Sequence, residues 1–178
     1  KNHSYKLETK LRNELEEAVL NQDIMPSMRA LMTSGPALDR CHVGAFNCSY
    51  LAVDTPRAFD ETMYILMCGT GVGFSVERHS IEKLPIVNEA MHETDTVINV
   101  GDSRPGWAGA LRELISLLYA GQIPKWDVSA VRPAGERLKT FGGRASGPAP
   151  LEELFQFVIQ KFKGAAGRRL YPIECHDI

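Results

Sequence analysis

The residues of this chain best suited to chemistry are its four cysteines, Cys41, Cys48, Cys68 and Cys175. A thiolate is both a nucleophile and a redox centre. Their spacings of 7, 20 and 107 contain no Cys-x-x-Cys pair, and the five histidines show no i, i+4 pairing. That pattern argues against a bound metal such as zinc and is too sparse for a secreted disulfide scaffold. It fits free thiols in a reducing cytoplasm. Cys48 sits inside GAFNCSYLAVD (44–54), which reads as a strand. A cysteine there is first a small apolar core residue, and Cys41 and Cys68 are equally eligible. His176 adjoins Cys175, but adjacent residues of one element point apart, so no Cys–His nucleophile pair follows.

Three loops could bind anions. GTGVGFS (69–75) places its glycines after a helix and before a strand, the reverse of the dinucleotide-binding order, and so reads as a tight turn. FGGRASGPAP (141–150) offers unhindered backbone N–H groups, Arg144, Ser146 and a following helix N-terminus, although a plain connecting loop explains it as well. PSMR (26–29) has a hydroxyl, an arginine and a bend that could touch phosphate.

The elements that must position these residues alternate. Leu7, Leu11, Leu15, Val19 and Leu20 predict a helix over 5–22. Residues 25–40 hold two prolines and Ser-Gly-Pro, which predicts a structured loop with one short turn. Residues 45–53 form the strand that carries Cys48. Thr55 as N-cap and Pro56 at the first helical position start a helix that Gly69 stops. Residues 71–77 read as a buried strand, 78–95 as mixed and polar, and TVINV (96–100) as a short strand or helix start. Trp107, Leu111, Leu114, Ile115 and Leu118 mark a helix that ends at Gly121. A strand at 125–131, an irregular stretch at 132–150 and a helix from Leu151 follow. Short apolar strands between helices imply an α/β fold, with parallel strands buried on both faces.

The bulk numbers agree. The 178 residues are 44% hydrophobic and 24% charged with net charge −2, which suits one soluble domain. No run is long enough to span a membrane, and no basic surface suggests nucleic acid.

Taken in order, PSMRALMTSG, NCSYLAV, MCGTGVGFSVERHSI, RPAGERLKTFGGRASGPAPLEEL and GRRLYPIECHDI closely resemble the N-terminal half of the catalytic subunit of ribonucleotide reductases. The last two are most similar to the adenosylcobalamin-dependent class II enzymes, the monomeric type in particular. The resemblance covers most of 20–178. It implies that 1–178 is the first part of a ten-stranded α/β barrel built from two parallel five-stranded halves, with adenosylcobalamin bound mainly elsewhere. Residues from about 102 to 150 resemble the inserted segment that completes the effector site in monomeric class II enzymes. Cys48 falls on the family's substrate-reducing strand cysteine. Alternation would turn it into the barrel, with Asn47 and Ser49 facing away. Ser27 and Asn47 become candidate substrate contacts, and Asp54 falls near the deoxynucleotide effector site. Cys41 and Cys68 match no motif position and stay packing thiols.

The family's Asn-Pro-Cys-Gly-Glu stretch and a redox partner for Cys48 lie outside these residues. The expectation is therefore a reductase part that works on a ribonucleotide with a dithiol reductant. Its C-terminal remainder would be supplied as a separate or spliced polypeptide, a split gene being favoured over an intein-interrupted or truncated chain. The competing reading is a non-catalytic nucleotide-binding or regulatory module that kept the fold.

Overall fold

Two strand–helix–strand units follow one another in the computed structural model, which describes residues 2–138 and 143–178. The first is β1 (Cys48–Ala52), α4 (Arg57–Met67) and β2 (Gly71–Ser75). The second, reached through the short helix α5 (Arg78–Ile81), is β3 (His92–Asn99), α6 (Arg104–Tyr119) and β4 (Gln122–Asp127). In each unit the two strands pair in parallel, which a helical crossover permits and a tight hairpin does not. The chain is thus mixed α/β with parallel sheets, as its alternating pattern implies. Each sheet has two strands among the described residues.

The second unit carries most of the core. Helix α6 turns Leu111, Leu114, Ile115 and Leu118 inward, each no more than 2% exposed. Against it lies α7 (Ala149–Gly164), whose Leu151, Phe155, Val158 and Phe162 recur at helical spacing and are equally buried. Two edge-to-face aromatic pairs lock these layers: Tyr119 on Phe162 at 4.9 Å, and Trp126 of β4 on Phe155 at 5.5 Å. Ser103 caps α6 by accepting from the Gly106 N–H at 3.1 Å. A Cβ at Gly106 would come within 2.4 Å of the Gly101 carbonyl oxygen, so the loop lies directly on the helix there. Gly121, at φ +80°, ends the helix as its position predicts. The short α8 (Pro172–Asp177) is tied back by Lys161–Asp177 at 2.6 Å and by two Arg168–Glu174 hydrogen bonds of 2.7 Å.

Several local expectations change. Residues 25–40 fold into two short helices, α2 (Met28–Thr33) and α3 (Pro36–Arg40), and a 3₁₀ turn (His42–Ala45) follows. Ser27 supplies the N-cap of α2, a signal hidden among the prolines. The cap position of α4 is taken by Pro56 rather than Thr55, and no side chain caps it; the Thr55 carbonyl accepts from the Ala58 N–H at 3.1 Å instead. Strand β2 is not buried on both faces. Its open face carries only Gly71 and Gly73 opposite Cys48 and Tyr50, and even Phe74, on the face it shares with Leu51, is 37% exposed. Helix α1 (Asn2–Leu20) forms as its periodicity predicts, yet Leu7, Leu11 and Leu15 of its apolar stripe stay exposed. The Phe141–Gly142 end of the glycine-rich loop lies outside the described residues. Further along that loop, Ser146 donates its hydroxyl to the Gly147 carbonyl.

Candidate active site

Cys48 is the first residue of β1, and its thiol is free and exposed. Successive residues of a strand face opposite ways. Cys48 and Tyr50 therefore share one face, and Ser49 and Leu51 the other. Leu51 packs against the core with α4, so the Cys48 face is the one the helix leaves open. Tyr50 on that face is 71% exposed. The parallel register sets Cys48 opposite Gly71 and Tyr50 opposite Gly73. Neither glycine has a side chain to cover its neighbour, so a flat floor of backbone adjoins the thiol.

The strand start is held from three sides by one arginine. Arg29 of α2 donates Nε to Asn47 Oδ1, Nη1 to the Gly44 carbonyl at 3.0 Å, and Nη2 to the Gly69 carbonyl at 2.9 Å. The rigid guanidinium fork suits three acceptors fixed in different directions. It joins α2, the approach to β1 and the turn between α4 and β2. Thr70, 2% exposed, adds a second tie: its Oγ1 lies 2.9 Å from the Val43 carbonyl oxygen and 2.8 Å from that of Phe46. The Gly71 N–H then donates to the Asn47 carbonyl at 2.9 Å and starts the ladder.

Three of the four sequence-predicted site residues belong to this one framework. Cys48 is on the open face. Asn47 precedes it, with its side-chain oxygen occupied by Arg29. Ser27 lies two residues before Arg29, where its hydroxyl accepts the Ala30 N–H at 3.1 Å. Asp54 does not join them. It lies past the other end of β1, half-exposed, with its carboxylate 3.4 Å from Lys83 Nζ. The arginine of PSMR, read as a phosphate contact, spends its donors inside the protein.

Sequence reasoning missed two further groupings. Asp60 of α4 is 1% exposed and takes two hydrogen bonds from Arg112 of α6, at 2.9 and 2.7 Å, on one oxygen. Its other oxygen has no partner. Cys41 and Cys68, distant in sequence, bring their sulfurs to 3.3 Å. No spacing rule announces either contact, because both depend on how α4 packs.

Residues 75–161 match the family model described as the B12-dependent ribonucleotide reductase insertion domain. The adenosylcobalamin-dependent ribonucleoside-triphosphate reductase of Lactobacillus leichmannii is 33% identical over 164 residues, which cover 71% of this chain and 22% of the relative. A putative enzyme of the same description from Mycobacterium phage D29 is 31% identical over 182 residues, covering 84% of this chain and 26% of its own. A crystal structure of a B12-dependent (class II) ribonucleotide reductase superposes with TM-score 0.81 at 26% identity, over 93% of this chain and 31% of that one. Fold and sequence together place the chain among the ribonucleotide reductases. Within that class, the chain belongs to the B12-dependent class II family and corresponds to an N-terminal part of its catalytic chain. It spans between a fifth and a third of the length of these relatives.

Proposed function

We propose that this chain supplies the substrate-reducing strand of a class II ribonucleotide reductase, and that Cys48 is one of the two thiols that reduce the ribose. What supports the reading most is the exposed Cys48 thiol, on the uncovered face of a parallel strand pair, above glycines. A ribonucleotide could lie on that floor with its 2′ carbon toward the sulfur. A thiyl radical on a cysteine elsewhere in the enzyme takes the 3′ hydrogen from the other side of the sugar. Cys48 then protonates the departing 2′-hydroxyl, which leaves as water. Cys48 and a second thiol together give up two hydrogens and two electrons, and close to a disulfide. The 3′ hydrogen returns to the sugar. An external dithiol reopens the disulfide by exchange.

In this reading β1 and β2 are strands of the enzyme's α/β barrel, with their open face toward its interior. Ser27 and Asn47 border the substrate, and Arg29 keeps Asn47 and the strand start in place. Asp54, at the far end of β1, belongs to the effector site rather than the reacting centre. The stretch from about 102 to 150 is the inserted segment associated with that site. The remainder of the enzyme, as further chain or a separate polypeptide, supplies the radical cysteine and the second reducing thiol.

Adenosylcobalamin is the cofactor of this reading and supplies the initiating radical when bound. The two best-formed concavities among the described residues, about 550 and 450 Å³, are open grooves and do not enclose a corrinoid. One lies between β4 and α7 and the other beside Arg168 and Tyr171, and Cys48 lines neither. These residues by themselves do not fit the cofactor, whose contacts we assign to the rest of the enzyme.

The test is turnover of the assembled enzyme with a ribonucleoside triphosphate and a dithiol reductant. Cys48→Ser is expected to abolish multiple turnover, because serine cannot form the disulfide. Unchanged turnover would remove Cys48 from the chemistry. Nucleotide binding that is indifferent to this change, in a chain that never supports reduction, would favour a regulatory module.

A further inference from the structure

Cys41 and Cys68 take no part in the chemistry above, yet they form the closest pair of thiols in the described chain. Cys41 lies between α3 and the 3₁₀ turn that leads to β1, and Cys68 is the C-cap of α4, ahead of the turn into β2. Both are buried, at 8% and 1% exposure. Their sulfurs are 3.3 Å apart, and Arg104 Nη1 lies 3.5 Å from that of Cys41. Two thiols are too few for a closed metal site, since structural zinc takes four ligands. Two adjacent thiols with a guanidinium beside both are instead suited to reversible oxidation.

We propose that Cys41 and Cys68 form a redox-responsive dithiol that closes to an intramolecular disulfide when a hydroperoxide oxidises it. The two sulfurs are the two electron donors. The Cys41 thiolate attacks the terminal peroxide oxygen, the O–O bond breaks, and the alkoxide leaves as an alcohol after taking a proton. Cys41 is then a sulfenic acid. The Cys68 sulfur attacks the Cys41 sulfur, the S–O bond breaks and water leaves, carrying the Cys68 proton. Two thiols and one hydroperoxide thus give one disulfide, one alcohol and one water. The sulfurs close by about 1.2 Å to reach the ~2.05 Å bond length.

The surroundings assign these roles. Burial opposes ionisation of Cys41, but the hydrogen bond with Cys68, the Gly44 and Val43 N–H groups and the Arg104 charge outweigh it and hold the thiol below its usual value. Cys68 is pushed up, by burial first and then by its bond to Cys41, which together outweigh the lowering contact with Arg104. One thiol is thus prepared to attack and the other keeps its proton until the second step. The pair brackets the candidate site: the segments after Cys41 and Cys68 lead to Cys48 and to Gly71, which face each other in the sheet. A bond between them would link the approaches to both strands.

The test uses the full chain with Cys48→Ser, which leaves Cys41, Cys68 and Cys175 as its thiols. Hydrogen peroxide is added, the chain is denatured, remaining thiols are alkylated, and the chain is digested without reductant. The expected result is loss of two of the three alkylatable thiols and one tryptic species joining 41–57 to 58–78, lighter by two hydrogens and split by dithiothreitol. Adding Cys68→Ser should stop Cys41 at the sulfenic acid, which a cyclic 1,3-diketone traps. Peroxide treatment that leaves Cys41 and Cys68 both alkylatable, or drives them singly to sulfinic acid without a joined species, would overturn the proposal. The readout is independent of nucleotide reduction, so it stands apart from the role given to Cys48.

Discussion

Cys48 and Cys175, one exposed and one buried, show how environment assigns a thiol its work. Cys48 lies open above glycines, where a reactant can approach it. Cys175 is 3% exposed, and burial, with the Glu174 charge second, pushes its thiol up to about 12 from an ordinary 9.0. Native Cys175 should therefore resist alkylation at pH 8.5 while Cys48 reacts, and denaturation should make the two alike. Counting labels by mass spectrometry checks this. The sign of the stability effect follows from the same shift. Below pH 9 both the folded and unfolded chains keep the Cys175 proton, and its contribution is complete. As pH rises from 9 toward 12 the unfolded chain loses that proton first, so this contribution to stability declines. Cys175→Ala should make the decline shallower by this share alone, because burial raises Cys68 and Tyr119 as well and theirs remains.

Between elements, two arginines carry contacts that no linear pattern displays. Arg29→Ala removes three hydrogen bonds among α2, the approach to β1 and the α4–β2 turn. Because the site is partly solvated, the expected cost is about 1–2 kcal/mol. A lower denaturant midpoint would register it, and Arg29→Lys should not restore it, since an ammonium cannot span the three acceptors. Arg112→Ala strands the buried Asp60 carboxylate and should cost about 3 kcal/mol. Pairing it with Asp60→Asn should recover part of the loss, which separates an unpaired charge from lost packing. The helices and their punctuation were legible in the sequence: the α6 face, the Gly121 stop and the α7 repeat all stand as their periodicity implies. Helices α2 and α3 were not, because prolines and a Ser-Gly-Pro mask six- and five-residue helices that tertiary contacts such as the Arg29 fork hold in place. The position of Cys48 on a strand was legible, but its neighbours were not. Which side chains surround a strand residue depends on the partner strand and its register.

For the whole molecule, the uneven distribution of apolar surface matters most. The second unit has a continuous core around Phe155, Phe162 and Leu114. Among the described residues no helix is long and apolar enough to cross a membrane. Yet Leu7, Leu11 and Leu15 of α1 are 50–57% exposed, and Phe46 and Tyr50 beside Cys48 are 64% and 71% exposed. Such surface favours burial against other protein. We expect the chain alone to self-associate, and co-expression with the rest of the reductase to give a soluble complex of defined stoichiometry. Sedimentation of both preparations checks this, and a monodisperse monomer that ignores the complement would contradict it. The role of Cys48 is decided by a single turnover of the assembled enzyme on a ribonucleoside triphosphate without external reductant, with its disulfides mapped afterwards. The expected product is a disulfide between Cys48 and a cysteine of the complementary part, in one-to-one proportion to the deoxynucleotide formed. Deoxynucleotide formed while Cys48 remains fully alkylatable would contradict it.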